Sequence, residues 1–176
     1  MHERWLSGET VFEGVVASVR VDTVSLPGGG AARREVVEHE PSVVVVPIDR
    51  EGNLVLVRQF RYPVGETLVE APAGVVEHAE SPEECAQREL QEETGYRAES
   101  LESLGAFWMS PGYCTERMHA FVARDLVPSS LEPDPDENIE IVRVSFAEAH
   151  KLISRGAIQD AKTIAALLMV ANRAAG

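Results

Sequence analysis

Cysteine is scarce in this chain: Cys85 and Cys114 are its only two. They form no CxxC pair and have no histidine pair at zinc-ligand spacing, so nothing suggests a zinc site; a single disulfide between them is possible but cannot be deduced from sequence. Positive charge is also thin, with 16 Lys and Arg against 29 Asp and Glu and a formal net charge of −13. A broad nucleic-acid or anionic-membrane surface would need the opposite balance, so neither partner is expected. Aromatic residues make up 6% of the chain. No apolar run approaches the roughly 18 residues of a membrane helix. The opening Met1-His2-Glu3-Arg4-Trp5 lacks the cationic, apolar and small-residue order of a signal peptide. A cytoplasmic protein with two reduced thiols is the expectation. What remains is 176 residues, 44% of them hydrophobic, enough for one globular domain with a substantial core.

Strand patterns fill the first two thirds. Val11 to Val24 is rich in Val and Thr, Pro27-Gly28-Gly29-Gly30 breaks it, and Arg34 to His39 resumes, which predicts an N-terminal hairpin or a pair of long strands. Ser42 to Ile48, with four consecutive valines, reads as a buried strand, and Asp49 to Asn53 turns it into Leu54 to Phe60. Further strands are expected at Thr67 to Glu70, Leu101 to Phe107, Met118 to Leu126 and Ile139 to Ser145. Ser81-Pro82-Glu83-Glu84 opens a helix with a capping box and proline in its first turn, and Gly95 ends it. Ser145 and Glu148 open a second helix that Gly156 stops, and Asp160 caps a third from Ala161 to about Ala174. The longest stretch without a pattern, Pro128 to Asn138, carries Glu132, Asp134, Asp136 and Glu137. The order of elements predicts an α/β fold with layers of helix on a mixed sheet, divided into an N-terminal strand segment, 1–41, and a main domain, 42–176.

The chemistry concentrates between Gly74 and Tyr96. Glu89, Glu92 and Glu93 are spaced three and four apart and fall on one side of the first helix, where like charges repel. A hard divalent cation bound by carboxylate oxygens would relieve that repulsion, and a solvated acidic face is the alternative. Gly74, five residues, Glu80, seven residues and then Arg88-Glu89-Leu90-Gln91-Glu92-Glu93-Thr94-Gly95-Tyr96 resemble the signature of the Nudix hydrolases. Tyr96, where an aliphatic residue is usual, is the one departure, at a position that packs rather than reacts. Arg33-Arg34-Glu35, Val57 to Arg61, Glu70 to Gly74, Ser110-Pro111-Gly112, Asp136-Glu137-Asn138 and Gly156 to Ala161 are similar to the ADP-ribose pyrophosphatase branch, as is Pro111 lying 16 positions past Gly95.

That resemblance implies a Nudix-like α/β/α sandwich that hydrolyses ADP-ribose to AMP and ribose 5-phosphate with Mg2+, or with Mn2+ or another divalent ion. Such an ion offsets phosphate charge and lowers the pKa of bound water. Glu89 and Glu93 become the main ligands, Glu92 a third, and the Ala73 carbonyl a fourth. Glu80 and Arg88 hold the loop against the helix. Arg34 and Arg61 contact the substrate, with Arg58 and Glu116 beside them; guanidinium groups bind phosphate bidentately and stack on purines. Glu137 is the proposed general base, and Glu116 its rival. Phe12, Trp108 and Tyr113 are aromatic candidates for the adenine, with packing the favoured role for each. A homodimer completed by the N-terminal strands is also implied. Two alternatives stand beside this reading: a hydrolase of another nucleoside diphosphate sugar or a dinucleoside polyphosphate, and a non-catalytic nucleotide-binding regulator.

Overall fold

The computed structural model describes residues 2–131 and 138–174. They divide into two compact units, one of residues up to Pro41 with Trp108–Arg117, the other of Ser42–Phe107 with the described residues from Met118 onward. The first unit is built on an antiparallel sheet of β1 (Arg4–Glu13), β2 (Ser18–Ser25) and β3 (Ala31–Glu38). The expected hairpin or pair of long strands is thus corrected to three antiparallel strands. Val11 to Val24 is interrupted at a turn in which the Gly14 N–H donates to the Ala17 carbonyl at 3.1 Å. A strand also begins as early as Arg4, where register shifts between Trp5 and Ser7 and between Thr10 and Phe12 erase the two-residue alternation that would have revealed it. Within the same unit, Val37 donates to the Tyr113 carbonyl at 2.7 Å and accepts from the Thr115 N–H at 3.0 Å.

The second unit holds β4 (Ser42–Pro47), β5 (Asn53–Arg61), β6 (Glu66–Glu70), β7 (Ala73–Val75), α1 (Pro82–Thr94), most of β8 (Tyr96–Trp108) and of β9 (Arg117–Pro128), β10 (Ile139–Ser145), α2 (Phe146–Ser154) and α3 (Ala161–Ala174). One sheet runs β7-β4-β9-β8 and is mixed, since β4 lies parallel to β9 and antiparallel to β7. A second, antiparallel sheet runs β10-β5-β6. Val43 to Val46 are all fully buried, and successive side chains on a strand point to opposite faces, so both faces of β4 are covered. Val43, Val45 and Val55 pack with Cys85, Ala86 and Leu90 of α1. The α3 helix also packs on β4. The α/β/α sandwich is therefore present. Fully burying side chains of this size stabilises a fold by roughly 1.5–3 kcal/mol each.

Local chemistry explains why α1 lies where it does. Ser81 Oγ accepts from the Glu84 N–H at 3.2 Å while the Glu84 carboxylate accepts from the Ser81 N–H at 2.8 Å. At the other end Gly95 takes the left-handed conformation, with φ 73°, and its N–H donates to Gln91 at 3.0 Å. Tyr96 then packs on the core cluster beside Val76 and Leu101.

Candidate active site

The turn from β6 into α1 brings the acidic side chains of the helix to a backbone strip, Ala73–Gly74. Glu89 is 9% exposed and Glu93 5%. A Cβ placed on Gly74 would lie 1.8 Å from Glu89 Oε1, so only glycine leaves room for that carboxylate. Glu93 Oε2 accepts from the Ala73 N–H at 3.3 Å. The β4–β7 ladder holds the strip in place, pairing Val44 with Ala73 and Val43 with Gly74. Glu89, Glu93, Ala73 and Gly74, scattered over 21 positions of sequence, are thus neighbours.

Arg88 organises the other side. Its Nε and Nη2 donate to the two Glu80 oxygens, both at 3.0 Å, and Nη2 also reaches the Val75 carbonyl at 3.1 Å. Its Nη1 donates to Glu89 at 2.7 Å and to Glu92 at 2.9 Å. The Glu80–Arg88 pair thus ties the loop to the helix, and the Arg88 hydrogen bonds hold the Glu80 carboxyl below the usual carboxylate range. The same contacts raise the Arg88 pKa further above its ordinary value. Beneath them, burial pushes the Cys85 thiol up, away from any nucleophilic role.

A second charged group adjoins the strip. Arg61 donates through Nε and Nη2 to both oxygens of Glu70, each at 2.9 Å, and Lys162 of α3 donates to Glu70 Oε2. Lys162 lies 3.1 Å from Asp160 Oδ2, the same oxygen that accepts from the Thr163 N–H at 3.0 Å. Thr163 Oγ1 accepts from the Ala71 N–H at 2.8 Å, two residues before Ala73. Burial alone would raise the pKa of Glu70, which is 1% exposed, but Arg61 and Lys162 outweigh it and hold the carboxyl below its ordinary value. The sequence reading assigned no role to Glu70, Lys162 or Thr163. The available signal was a glutamate ending an apolar strand and Asp160-Ala161-Lys162-Thr163 opening a helix.

The other described residues expected at the site divide between the two units. Arg58 is three residues from Arg61 on β5, hence on the opposite face, and donates at 2.7 Å to Glu140, its cross-strand partner. In the first unit, Arg34 Nε donates to Glu3 at 3.0 Å and its Nη1 to the Arg33 carbonyl at 2.9 Å. Glu116, half-buried in that unit, accepts from the Met109 N–H through its carbonyl at 3.2 Å. Phe12, Trp108 and Tyr113 are each more than half exposed, not packed, and Arg117 stacks over the Trp108 ring at 5.2 Å. Glu137 lies outside the described residues.

The NUDIX domain model matches residues 38–167. The chain belongs to the Nudix family. An ADP-ribose pyrophosphatase of Bacillus subtilis (strain 168) is 41% identical over 95% of this chain and 91% of its own length. A methanol dehydrogenase activator of Bacillus methanolicus is 38% identical over 94% of this chain and 90% of its own. A crystal structure of an ADP compounds hydrolase superposes with a TM-score of 0.89 at 28% identity, covering 98% of this chain and 94% of that one. The chain is therefore a Nudix hydrolase, and Nudix hydrolases generally depend on a divalent metal.

The residues present fit such an ion. Carboxylate oxygens are the donor type a hard divalent ion takes, and the Gly74 cradle keeps the Glu89 carboxylate against the backbone strip. Among the described residues no group of three or more acidic, histidine or cysteine side chains is placed to hold a metal ion as the side chains stand.

Proposed function

We propose that this Nudix hydrolase cleaves the diphosphate of ADP-ribose, giving AMP and ribose 5-phosphate with Mg2+ as its ion. The observation that carries the reading is the placement of Glu89 and Glu93 against Ala73–Gly74, next to the Arg61–Glu70 pair. The names of the relatives support the substrate. Glu89, Glu92, Glu93 and the Ala73 carbonyl would hold the ion, which supplies charge neutralisation and a more acidic water. Arg61 grips the diphosphate, and its charge keeps the two phosphoryl groups close to a strongly acidic site. Arg34, Arg58 and Glu116 are assigned to the substrate, and Glu137 to the proton of the attacking water, on resemblance. Water adds to one phosphorus, and the bridging oxygen leaves with its phosphoryl partner.

A homodimer and a cytoplasmic setting belong to the same reading. Exposed Trp5, Leu6, Val11 and Phe12 on β1 and the free thiols Cys85 and Cys114 support them. No helix among the described residues is long and apolar enough to cross a membrane. The test is turnover with magnesium against ADP-ribose, other nucleoside diphosphate sugars, NADH and diadenosine polyphosphates. ADP-ribose should give the highest kcat/KM, and Glu93→Gln should lower kcat at least ~100-fold. A flat profile across the panel, or wild-type turnover by Glu93→Gln at saturating magnesium, would remove the assignment.

A further inference from the structure

The Arg61–Glu70–Lys162 group is an unusual way to spend charge. Glu70 is essentially buried and meets two cations, a bidentate guanidinium from β5 and an ammonium from α3 whose side chain is 13% exposed. Lys162 also meets a second carboxylate, Asp160, so two cations face two anions and the buried Glu70 is held from both sides. Asp160, in turn, fixes Lys162 at 3.1 Å at the start of α3. The bidentate contact uses Nε and Nη2 and locks the guanidinium plane, while the Nη1 edge takes no part in it. Glu93 of the acidic cluster acts electrostatically on the same guanidinium, which places Arg61 within reach of the site's field.

We propose that Glu70 and Lys162 are positioning residues for substrate binding: Glu70 orients Arg61, and Lys162, anchored by Asp160, holds Glu70 in place so that Arg61 presents its Nη1 edge to a diphosphate anion. The inference rests on the assignment of Arg61 to the substrate. Neither residue touches the substrate, so each acts only through Arg61. Thr163 steadies the arrangement by holding the Ala71 backbone directly after Glu70.

The experiment is steady-state kinetics with magnesium on the full chain, for ADP-ribose and a second nucleoside diphosphate sugar in parallel. Lys162→Met should raise KM about tenfold with kcat within about threefold, the pattern of lost ground-state binding. Lys162→Arg, which restores a cation, should return KM toward wild type. Glu70→Gln alone would leave Lys162 with Asp160 as its one remaining ion-pair partner and change the charge of the group, so the charge-balanced Glu70→Gln/Lys162→Met variant guards against misfolding; it too should raise KM. In an Arg61→Ala background none of these changes should raise KM further. An equal rise in that background, or an unmoved KM with a lowered Tm, overturns the proposal. An unchanged KM in Arg61→Ala itself overturns both this inference and the assignment of Arg61. Turnover of only the second sugar rejects ADP-ribose as the substrate, yet still reads the coupling between Lys162 and Arg61.

Discussion

At Gly74 the missing side chain is itself a functional feature. The Glu89 carboxylate occupies the space that any Cβ would take, with Oε1 1.8 Å and Cδ 2.0 Å from that point. The clash in Gly74→Ala falls on the end of a flexible side chain, so the fold should yield little and the carboxylate should move. We expect kcat to fall about 100-fold, the scale of an ångström-level misplacement. Circular dichroism and Tm should stay close to wild type; a collapsed Tm with normal turnover of the folded fraction would show that the glycine serves packing alone. The general base is the other question at this scale. Glu137→Gln should reduce kcat by ~10²–10⁴-fold with KM little changed, the usual contribution of base catalysis. Glu116→Gln should instead fall mainly in kcat/KM. If Glu116→Gln loses kcat while Glu137→Gln remains active, the roles are exchanged.

The first helix and the loop before it act as one element because Arg88 bonds to both. Glu80, its loop partner, is held below the ordinary carboxylate range, chiefly by the Arg88 hydrogen bonds. A group with a lowered folded pKa adds stability above its unfolded pKa of about 4.3 and loses it as pH falls through the folded value. Glu80→Gln should therefore cost about 1–2 kcal/mol at pH 7, with the gap to wild type closing below pH ~4 as the wild-type carboxyl is protonated. Urea titrations from pH 7 to 3 measure it, and a gap independent of pH would exclude the ion pair as its source. This helix was legible from its residues because its signals are local: Ser81, Glu84 and Gly95 act within one turn of the ends they define. The buried β4 was legible for a similar reason, since four adjacent valines suit only a strand covered on both faces. By contrast, β1 was missed because bulges destroy its alternation, and β7 because Ala73–Val75 is too short to show any. The Glu70 group was not legible either. Its members are separated by up to 101 positions, from Arg61 to Lys162, and only tertiary contact makes a lone lysine on a helix the partner of a strand-end glutamate.

For the whole molecule the open balance is between a strongly acidic surface and an apolar one. The net charge of −13 keeps copies apart, yet Trp5, Leu6, Val11, Phe12, Val15 and Val16, all within the first sixteen residues, are each more than half exposed. Monomeric proteins seldom leave extended apolar patches uncovered, and long-range charge repulsion is largely screened beyond about 8 Å at physiological salt. Short-range burial between the two copies of the proposed homodimer would outweigh their mutual repulsion once the strands meet. In the proposed homodimer these side chains supply the contact. Phe12, 59% exposed and with no polar group on its side chain to lose, is the position to test. Phe12→Asp places a charge where an apolar contact would form, and desolvating that charge opposes association. Sedimentation should report a dimer of the 19.2 kDa chain for the wild type and a monomer for the variant. Raising the salt should tighten the wild-type dimer, because screening removes repulsion and leaves the apolar contact intact. If the N-terminal strands also complete the substrate site, kcat/KM of Phe12→Asp should fall together with its dimer fraction and recover at concentrations that drive association. A wild-type protein that sediments as a monomer at every salt concentration would refute the dimer, and full activity in a monomeric Phe12→Asp would separate catalysis from assembly.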